Sequence, residues 1–489
     1  MIKKNLNFYA VILAGGKGVR FWPLSRYQQP KQLLKIFGNY SLLQHCFLRI
    51  AKLIAIENIY VVTNQDYFHP IKYQLKDLGF YLDNIIVEPE PKNTAAAIGL
   101  VAKIIFKKNK NAILSIFPSD HFIKREKSFL SVLKKALDFS RNNKMVIFGI
   151  KPSRIETAYG YIKASETSSN SFLKVYKFIE KPKKSIAKRL IKFENVFWNS
   201  GIFVWKASVL LEQIRKFMPR LYFVLCQEGD SLKKGWQDLE PISIDYGILE
   251  KSKKNLYVAR FDCGWTDLGN WSTLDLVLKK DKNNNAIAAD AITVDTINTT
   301  IWGGHHLIVA LGLKDMIVAD TPDALLVCPK EYAQRVSEVV EILKSQNRIE
   351  YLSSRLVNRP WGSYFVLNES KGFKIKIVDV FPHRRLSLQL HHKRSEHWII
   401  VKGIATVTIE NKIYKLKSNQ SIYVPAGSKH RVANEQDKQL TFIEVQVGSY
   451  LGEDDIERFE DDYERHQEKK NCPHHPLMVI KNRKKDYLI

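Results

Sequence analysis

Up to about Lys280, short apolar runs alternate with longer amphipathic stretches. Residues 59–63, 112–117 and 145–149 are mostly apolar, as buried strands are. Residues 41–54 and 94–106 carry apolar side chains at helical spacing, and Ser41 and Thr94 stand where helix N-caps are expected. This alternation predicts an α/β domain with a doubly wound parallel sheet, which binds its ligands at the carboxyl ends of the strands.

The pattern changes after that point. Residues 283–347 hold short strand-like pieces followed by an amphipathic stretch at 331–344, which predicts a β-rich connector that ends in a helix. Residues 348–466 are nearly all short strands with turn residues between them, which is typical of an antiparallel barrel or sandwich. We therefore expect domains at 1–282, 283–347 and 348–466, and a basic, partly disordered tail at 467–489.

Composition narrows the class of protein. The chain has 489 residues, enough for two or three domains, and no apolar run approaches the length of a membrane span. Its five cysteines are widely scattered, so neither a disulfide framework nor a cysteine zinc site is expected. These features predict a cytoplasmic protein with reduced thiols.

The formal net charge of +26 raises the question of a polyanionic partner. The excess lysines are dispersed along the whole chain, and no repeat interleaves them with aromatic residues as in a base-stacking surface. We interpret the charge as a solvated lysine-rich surface that attracts phosphorylated small molecules. No nucleic-acid or membrane partner is expected.

The first buried strand ends in a glycine-rich turn, residues 14–18, that is surrounded in sequence by cations. Glycine lets the backbone turn sharply and lets its N–H groups approach an anion. The neighbouring cations are Lys17, Arg20, Arg26 and Lys31. This combination predicts a phosphate-binding turn, although its spacing fits neither the Walker pattern nor a dinucleotide fingerprint.

The segment continues through Trp22-Pro23-Leu24-Ser25-Arg26 to Pro30-Lys31-Gln32. In that order it resembles sugar-phosphate nucleotidyltransferases, specifically mannose-1-phosphate guanylyltransferases, although that family usually has threonine where Val19 stands. The resemblance implies transfer of GMP from GTP to mannose 1-phosphate, with GDP-mannose and pyrophosphate as products. It implies a catalytic role for Arg20 and Lys31, and nucleotide binding by Ala14, Gly15, Gly16, Gly18, Arg20, Lys31, Asn93 and Thr94.

Further segments match the same family in chain order. Residues 88–95 correspond to its Glu-Pro-x-x-Arg-Asn-Thr-Ala segment, with Lys92 in place of arginine. Residues 159–162, 178–182 and 198–202 resemble its sugar-phosphate segments, although Ala158 replaces a usual glycine. The resemblance thereby implies that the sugar phosphate is bound by Gly160, Glu180, Lys181 and Asn199.

Two aspartates follow apolar strands in short polar segments, Asp120 in Pro-Ser-Asp-His and Asp267 in Gly-Trp-Thr-Asp-Leu-Gly. From the residues alone, each is as well explained as a capping residue as by metal binding. The family resemblance implies that both bind the Mg²⁺ that bridges the phosphates of the nucleotide.

The densest group of metal-ligand residue types lies near residue 390. Gln389 and His391 share one face of a predicted strand, Glu396 follows after a turn, and His430 comes later. Two imidazoles, a carboxylate and an amide oxygen can bind Zn²⁺ or another divalent metal and leave room for a substrate. Their order resembles the cupin metal pattern, with glutamine in place of the first histidine.

Together with Arg359-Pro-Trp-Gly-Ser-Tyr, this pattern resembles a type II phosphomannose isomerase domain, which interconverts fructose 6-phosphate and mannose 6-phosphate. The whole chain then resembles the bifunctional guanylyltransferase/isomerase enzymes of GDP-mannose and polysaccharide biosynthesis. The implied fold is α/β, with a Rossmann-like nucleotidyltransferase domain, a short β-rich connector and a C-terminal all-β cupin barrel. Arg394 is expected to support developing charge. The proton-transfer base is left open among His397, Lys393, which replaces a usual histidine, and several carboxylates.

Three alternatives remain at this point. The chain could be a thymidylyltransferase fused to a cupin sugar epimerase, a guanylyltransferase with a non-catalytic cupin, or a basic polyanion-binding protein without enzymatic activity. A homo-oligomer is also left open. Because residues 348–359 precede a separate strand pattern, a cut there is expected to leave two soluble pieces.

Overall fold

The computed structural model describes residues 6–165, 171–252 and 254–463. They form two compact units that divide between Ser354 and Arg355, so the expected connector belongs to the first unit. The tail expected at 467–489 lies outside the described residues. Among the helices that the described residues form, none is long and apolar enough to cross a membrane.

A nine-stranded mixed sheet forms the centre of the first unit. The strands of this region are β1 Phe8–Leu13, β2 Ile59–Thr63, β3 Ile85–Val87, β4 Ile113–Pro118, β5 Phe122–Ile123, β6 Met145–Ile150, β7 Tyr161–Ala164, β8 Phe172–Ile179, β9 Val196–Lys206, β10 Leu256–Arg260 and β11 Trp265–Thr266. The order across the sheet is β3-β2-β1-β4-β9-β6-β10-β8-β7, and β5 pairs with β11 in a separate ribbon.

The direction of β9 departs from the sequence prediction. The strands β3, β2, β1 and β4 are parallel, but β9 runs antiparallel to both β4 and β6. The expectation of a wholly parallel sheet is therefore wrong, because an apolar run shows that a strand is buried but not which way it points. The carboxyl ends of the four parallel strands still share one edge, and the glycine turn begins there.

Helices cover both faces of the sheet. They are α1 Leu42–Ile50, α2 Gln65–Lys76, α3 Asn93–Lys108, α4 Glu126–Ser140, α5 Lys184–Leu190, α6 Ala207–Phe217, α7 Pro219–Leu225, α8 Gly229–Gln237 and α9 Trp271–Asp275. Side chains of α3, α6 and α7 join one core cluster, and those of α1, α2 and α4 join another. Ser41 caps α1 in a capping box with Gln44, as predicted. The predicted cap Thr94 is wrong, because α3 already begins at Asn93.

The connector is a small coil of short strands followed by a helix. Its elements are β12 Ala286–Ala288, β13 Ala291–Val294, β14 Thr300–Trp302, β15 Ile308–Leu311, β16 Met316–Thr321, β17 Ala324–Pro329 and α10 Val336–Ser345. Parallel pairing of β12 with β14, β14 with β16 and β13 with β15 makes successive rungs of a β-helix. One core cluster contains Phe21 and Trp22 of the segment after the glycine turn together with Ile317 and Val336 of the connector.

The second unit is all β, as predicted for a cupin barrel. Its strands are β18 Leu356–Arg359, β19 Gly362–Ser370, β20 Phe373–Val380, β21 Arg384–Arg385, β22 Leu388–His391, β23 Arg394–Lys402, β24 Ile404–Ile409, β25 Lys412–Lys417, β26 Ser421–Val424, β27 His430–Asn434, β28 Leu440–Gly448 and β29 Ile456–Glu460. They form the sheets β18-β19-β20-β28-β23-β26 and β25-β24-β27-β22-β29, with β21 beside β27. Burial alternates along β28, so every second side chain points to the interior.

Candidate active sites

The glycine turn after β1 is held in place through its carbonyl groups. The Nε2 of Gln32 donates to the carbonyls of Ala14 (3.0 Å) and Gly16 (2.8 Å), and Asn64 Nδ2 donates to that of Gly15 (3.2 Å). Side chains of the Pro30-Lys31-Gln32 segment and of the residue after β2 therefore fix the turn. A turn fixed through its carbonyls can present its N–H groups to an anion.

Gly18 is required where the turn meets the Pro-Lys-Gln segment. Its φ is +59°, in the left-handed region that favours glycine. A Cβ at this position would lie 2.5 Å from the Cβ of Lys31 and 2.9 Å from its backbone nitrogen. Its carbonyl accepts a hydrogen bond from Ser25 Oγ at 2.8 Å. The third glycine of the motif therefore lets the turn approach Lys31 closely.

Lys31 brings together the two segments that carry the predicted metal carboxylates. Its buried ammonium group forms an ion pair with Asp120 and donates to the carbonyls of Asp267 (3.1 Å) and Leu268 (2.8 Å). The ribbon of β5 and β11 aligns the same segments, since Thr266 lies opposite Phe122. Predicted catalytic and metal-binding residues thus meet at one point beside the glycine turn.

The electrostatics of this point favour an ionised carboxylate. Burial alone would raise the pKa of Asp120, but the nearby Lys31 and His121 outweigh it and the pKa lies below its usual value. Burial lowers the pKa of His121 to about 4, so the imidazole is neutral at physiological pH. Its Nδ1 accepts a hydrogen bond from Trp265 Nε1 at 3.1 Å. The Oδ1 of Asp267 accepts from Tyr159 (2.8 Å) and from the N–H of Gly269 (3.0 Å).

The predicted ring of cations is only partly present. Arg26 is buried, and its guanidinium donates to Asp323 of the connector at 2.9 Å, so this cation is paired with a carboxylate rather than left to face an anion at the turn. Arg20 is exposed and donates to Gln334 at 3.2 Å. Lys17 is exposed and lies over the ring of Tyr27. A positive charge near a motif in sequence does not show which way the side chain points.

Residues 88–94 bring a buried carboxyl group to the same edge of the sheet. Glu88 follows β3, and its Oε2 has no hydrogen-bond partner among the described residues. A Cβ at Gly15 would lie 3.1 Å from Glu88 Oε1, so this carboxyl group borders the glycine turn. Burial raises the pKa of Glu88 to about 7. Glu88 belongs to a motif recognisable in the sequence, but that motif indicated no role for it.

The side chains of Asn93 and Thr94, at the start of α3, are both engaged in hydrogen bonds with backbone N–H groups. Asn93 has a φ of +66°, and its Oδ1 accepts from the N–H of Thr94 at 2.8 Å. The hydroxyl of Thr94 accepts from the N–H of Ile244 at 2.9 Å. Their predicted nucleotide-binding role stays a prediction.

The predicted sugar-phosphate residues do meet. The N–H of Asn199 donates to the carbonyl of Gly160 at 2.8 Å, and a Cβ at Gly160 would lie 2.5 Å from Glu180 Oε2. Lys181 Nζ lies 3.3 Å from Glu180 Oε1. Asp245 joins them as a residue that sequence analysis missed, since Asn199 Nδ2 donates to its Oδ1 at 2.9 Å. Nothing in the Ser-Ile-Asp-Tyr sequence around it signals this position.

In the second unit, His391 on β22, His430 on the adjacent β27 and Glu396 on β23 of the other sheet form a buried cluster. One ligand atom from each lies within 4.8 Å of the others. His391 Nε2 is 3.0 Å from Glu396 Oε1, and His430 Nε2 is 3.8 Å from Glu396 Oε2. Neither imidazole Nε2 makes a well-aligned hydrogen bond among the described residues. Orphaned buried nitrogens that face a carboxylate are what a divalent metal site provides.

Hydrogen bonds with neighbouring residues fix the orientation of His430 and Glu396. His430 Nδ1 lies 2.9 Å from the carbonyl of Ser428, which leaves Nε2 as the candidate metal-binding atom. Glu396 accepts from Gln446 Nε2 (3.0 Å), Trp398 Nε1 (3.0 Å) and Arg394 Nε (3.4 Å). Burial alone would raise the pKa of Glu396, but the adjacent His391, His430 and Arg394 outweigh it and the pKa lies below its usual value.

The cavity beside this cluster is lined by Gln389, Arg394 and a charged network whose members had no individual role assigned from the sequence. Lys376 Nζ lies 3.2 Å from Glu444 and 3.4 Å from Glu453, and Gln446 Nε2 donates to Glu444 at 2.8 Å. Gln389 Oε1 accepts from Ser387 at 2.9 Å, so its predicted role as a metal ligand stays a prediction. Lys376, Glu444 and Gln446 lie at buried positions of β20 and β28, whereas Glu453 lies in a short 3-10 helix just before β29.

The two non-carboxylate candidates for the proton-transfer base lie away from this cavity. His397 is exposed and its ring contacts that of Tyr423 at a tilt, and the exposed Lys393 lies over the ring of Tyr450. Glu444 and Glu453, in contrast, line the cavity. Burial and the charge of Glu396 raise the pKa of Glu444. The geometry therefore favours the carboxylates among the candidates that the sequence left open.

Three stretches of the chain match known protein families. Residues 9–284 match the family described as Nucleotidyl transferase. Residues 289–343 match the MannoseP isomerase/GMP-like beta-helix domain, and residues 346–461 match the Mannose-6-phosphate isomerase C-terminal domain.

Curated relatives match nearly the whole chain. It is 39% identical over 473 residues to mannose-1-phosphate guanylyltransferase 2 of Escherichia coli O157:H7, covering 93% of this chain and 98% of that protein. It is 38% identical over 467 residues to the alginate biosynthesis protein AlgA of Pseudomonas aeruginosa, covering 93% and 97%. A solved structure from Thermus thermophilus, described as a mannose-1-phosphate geranyltransferase, matches with a TM-score of 0.63 and 28% identity, covering 69% of this chain and 100% of that one.

Proposed function

Because this chain belongs to the family of mannose-1-phosphate guanylyltransferases with a C-terminal mannose-6-phosphate isomerase domain, we propose that it performs both reactions. The first transfers GMP from GTP to mannose 1-phosphate. The observation that carries this proposal is the contact of Lys31 with both the Asp120 and the Asp267 segments, beside the glycine turn. A phosphate-binding turn, a buried cation and two carboxylates are what such a transfer requires.

In this reaction a phosphate oxygen of mannose 1-phosphate attacks the α-phosphorus of GTP, and the bond to the β-phosphate breaks as pyrophosphate leaves. Asp120 and Asp267 are suited to hold Mg²⁺, which supplies positive charge to the phosphates when bound. Lys31 lies where a cation can stabilise negative charge that develops on the transferred phosphate, and Arg20 is the second candidate for that role. Lys181 suits the phosphate of the sugar.

The choice of nucleotide is ascribed to Glu88. Guanine presents an N1–H and an N2 amino group side by side on one edge, and a carboxylate can accept from both. Thymine presents one N–H between two carbonyl oxygens, which a carboxylate would repel. The buried Glu88 beside the glycine turn therefore supports guanine over thymine, and it argues against the thymidylyltransferase alternative.

The second reaction interconverts fructose 6-phosphate and mannose 6-phosphate by moving a proton between C1 and C2. His391, Glu396 and His430, with Gln389 as a fourth candidate, are suited to hold Zn²⁺ or another divalent metal, which when bound polarises the sugar carbonyl. The carboxylates of Glu444 and Glu453 are the cavity groups that can hold and move the proton. Arg394 fixes Glu396 and suits the developing oxyanion.

Relatives named for alginate and xanthan biosynthesis support a supply of GDP-mannose for a polysaccharide. GTP and sugar phosphates are intracellular metabolites, so we expect the enzyme to act in the cytoplasm. A homo-oligomer stays a prediction.

The direct test is to incubate the purified protein with GTP, Mg²⁺ and either mannose 1-phosphate or fructose 6-phosphate, and to identify the products. Replacing Lys31 by methionine should lower guanylyl transfer roughly 10²-fold or more, as expected for loss of one electrostatic stabiliser. The exposed neighbour Lys35 is the matched control, and Lys35→Met should behave like wild type. Wild-type turnover in Lys31→Met, or dTTP used in preference to GTP, would contradict the proposal.

A further inference from the structure

Asp245 lies within the group of residues expected to bind the sugar phosphate. Its Oδ1 accepts the hydrogen bond from Asn199 Nδ2 at 2.9 Å, and the Oδ1 of Asn199 accepts from the N–H of Gly201 at 3.1 Å. These two hydrogen bonds together fix the positions of the amide oxygen and the amide nitrogen of Asn199. One amide hydrogen of Asn199 and the remaining lone pairs of Asp245 are then left to face a ligand.

The backbone that carries Asp245 is unusual and well anchored. Residues Asp245–Leu249 form a π-helix, a rare element that is frequent at functional sites. Just before it, the N–H of Ile244 donates to the hydroxyl of Thr94, and just after it the carboxylate of Glu250 accepts from the N–H of Glu180 at 2.9 Å. The element therefore connects the predicted nucleotide segment with the predicted sugar segment.

Asp245 also faces a second carboxyl group. Burial, together with the negative charge of Glu180, raises the pKa of Asp245 to about 7, and Lys181 and Asn199 offset this only in part. Burial likewise raises the pKa of Glu180. Two acidic side chains kept close together in a partly buried place oppose each other's ionisation, so packing alone does not explain them.

We propose that Asp245 is a sugar-binding residue that, with Glu180, accepts hydrogen bonds from hydroxyl groups of the mannose ring. This inference rests on the proposed guanylyl transfer. The ring, rather than the phosphate, is the matching part of the substrate, because a carboxylate accepts from hydroxyl groups and repels a phosphate. Lys181 next to Glu180 can take the phosphate, so the two carboxyl groups mark where the hexose lies.

The first test is Asp245→Asn, measured with both substrates varied. The KM for mannose 1-phosphate should rise roughly 10- to 100-fold, the size of one charge-assisted hydrogen bond, while the KM for GTP stays within about twofold. Ser243→Ala is the matched control, since it removes a 3.3 Å hydrogen bond to the N–H of Tyr246 in the same segment without touching the sugar residues. It should leave both KM values unchanged.

A series of monodeoxy mannose 1-phosphates distinguishes direct binding of a sugar hydroxyl by Asp245 from a role limited to orienting Asn199. In wild type, removal of the hydroxyl that Asp245 binds should lower kcat/KM by a factor that disappears in Asp245→Asn, because the partner is already gone. Equal penalties in both enzymes for every deoxy sugar, or an unchanged KM for mannose 1-phosphate in a folded variant, would overturn the inference. If Asp245→Asn does not fold, Asp245→Ser takes its place, and failure of wild type to use mannose 1-phosphate would instead refute the proposed function.

Discussion

At the scale of single residues, Glu88 shows how burial creates a binding group. Its Oε2 is buried without a hydrogen-bond partner among the described residues, although unsatisfied buried oxygens cost stability. A bound ligand that donates a hydrogen bond to this oxygen would remove that cost. Beside the glycine turn, the ligand group that we propose for it is the pair of donors on guanine.

Glu88→Gln is therefore expected to change nucleotide choice. A glutamine amide offers one donor and one acceptor, so kcat/KM for GTP should fall roughly 10- to 100-fold while use of dTTP rises. The pKa of Glu88 is raised to about 7, so the accepting ionised form gains population between about pH 6 and pH 8. The KM for GTP should accordingly decrease with rising pH in wild type more than in Glu88→Gln. Identical pH profiles and nucleotide preference in the two proteins would contradict this role.

Individual residues also show where sequence reasoning stops. Gly18 and Lys31 were expected from the glycine turn and its neighbouring cations, and Asp120 from the family resemblance, and the structure brings the three together. Asp245 was missed because its importance arises from a tertiary contact with Asn199 rather than from local spacing. Arg26 was counted among the cations around the turn, but its guanidinium pairs with Asp323, about 300 residues away, because the direction of a long side chain depends on its tertiary partner.

At the scale of elements, the predicted strands and helices occur largely where the pattern places them, but their directions and partners were less predictable. The apolar run of β9 required burial on both faces, which either direction satisfies. The connector was recognised from its different pattern of short strands, yet its core is shared with Phe21, Trp22 and Trp271 of the preceding domain. Periodicity predicts what an element buries, whereas the element that it packs against depends on the rest of the chain.

This shared packing extends to residues 350–352. The N–H groups of Tyr27 and Gln28 donate to the carbonyls of Tyr351 and Leu352, each at 3.0 Å, and Trp22 Nε1 donates to that of Glu350. A fragment that ends at Ser354 should therefore keep guanylyl transfer. One that ends at Asn347 loses these three bonds and should be less stable by about 1–3 kcal/mol, measured as the free energy of unfolding in urea. Equal stability of the two fragments would show that residues 350–352 do not support this segment.

At the scale of the whole molecule, each compact unit contains the full set of residues assigned to one reaction. The transferase residues all precede Ser354, and the isomerase residues all follow Arg355. The net charge of +26 is a property of the whole chain and attracts both phosphorylated substrates without belonging to either site. Two self-contained sites on separate cores predict that the two activities can be lost independently.

Independence is tested by paired substitutions on the full-length protein. His391→Ala removes one of the three buried residues proposed to hold the metal, so bound divalent metal and isomerase activity should fall at least about 10²-fold while guanylyl transfer stays at the wild-type rate. His392→Ala is the matched control, because His392 is the adjacent residue and is exposed beside Glu457. Asp267→Asn should have the opposite effect, abolishing transfer and sparing isomerisation. Loss of both activities in a folded His391→Ala protein would contradict the assignment of one reaction to each unit. Full isomerase activity after chelation removes the metal would contradict the assignment of a metal to the isomerase site.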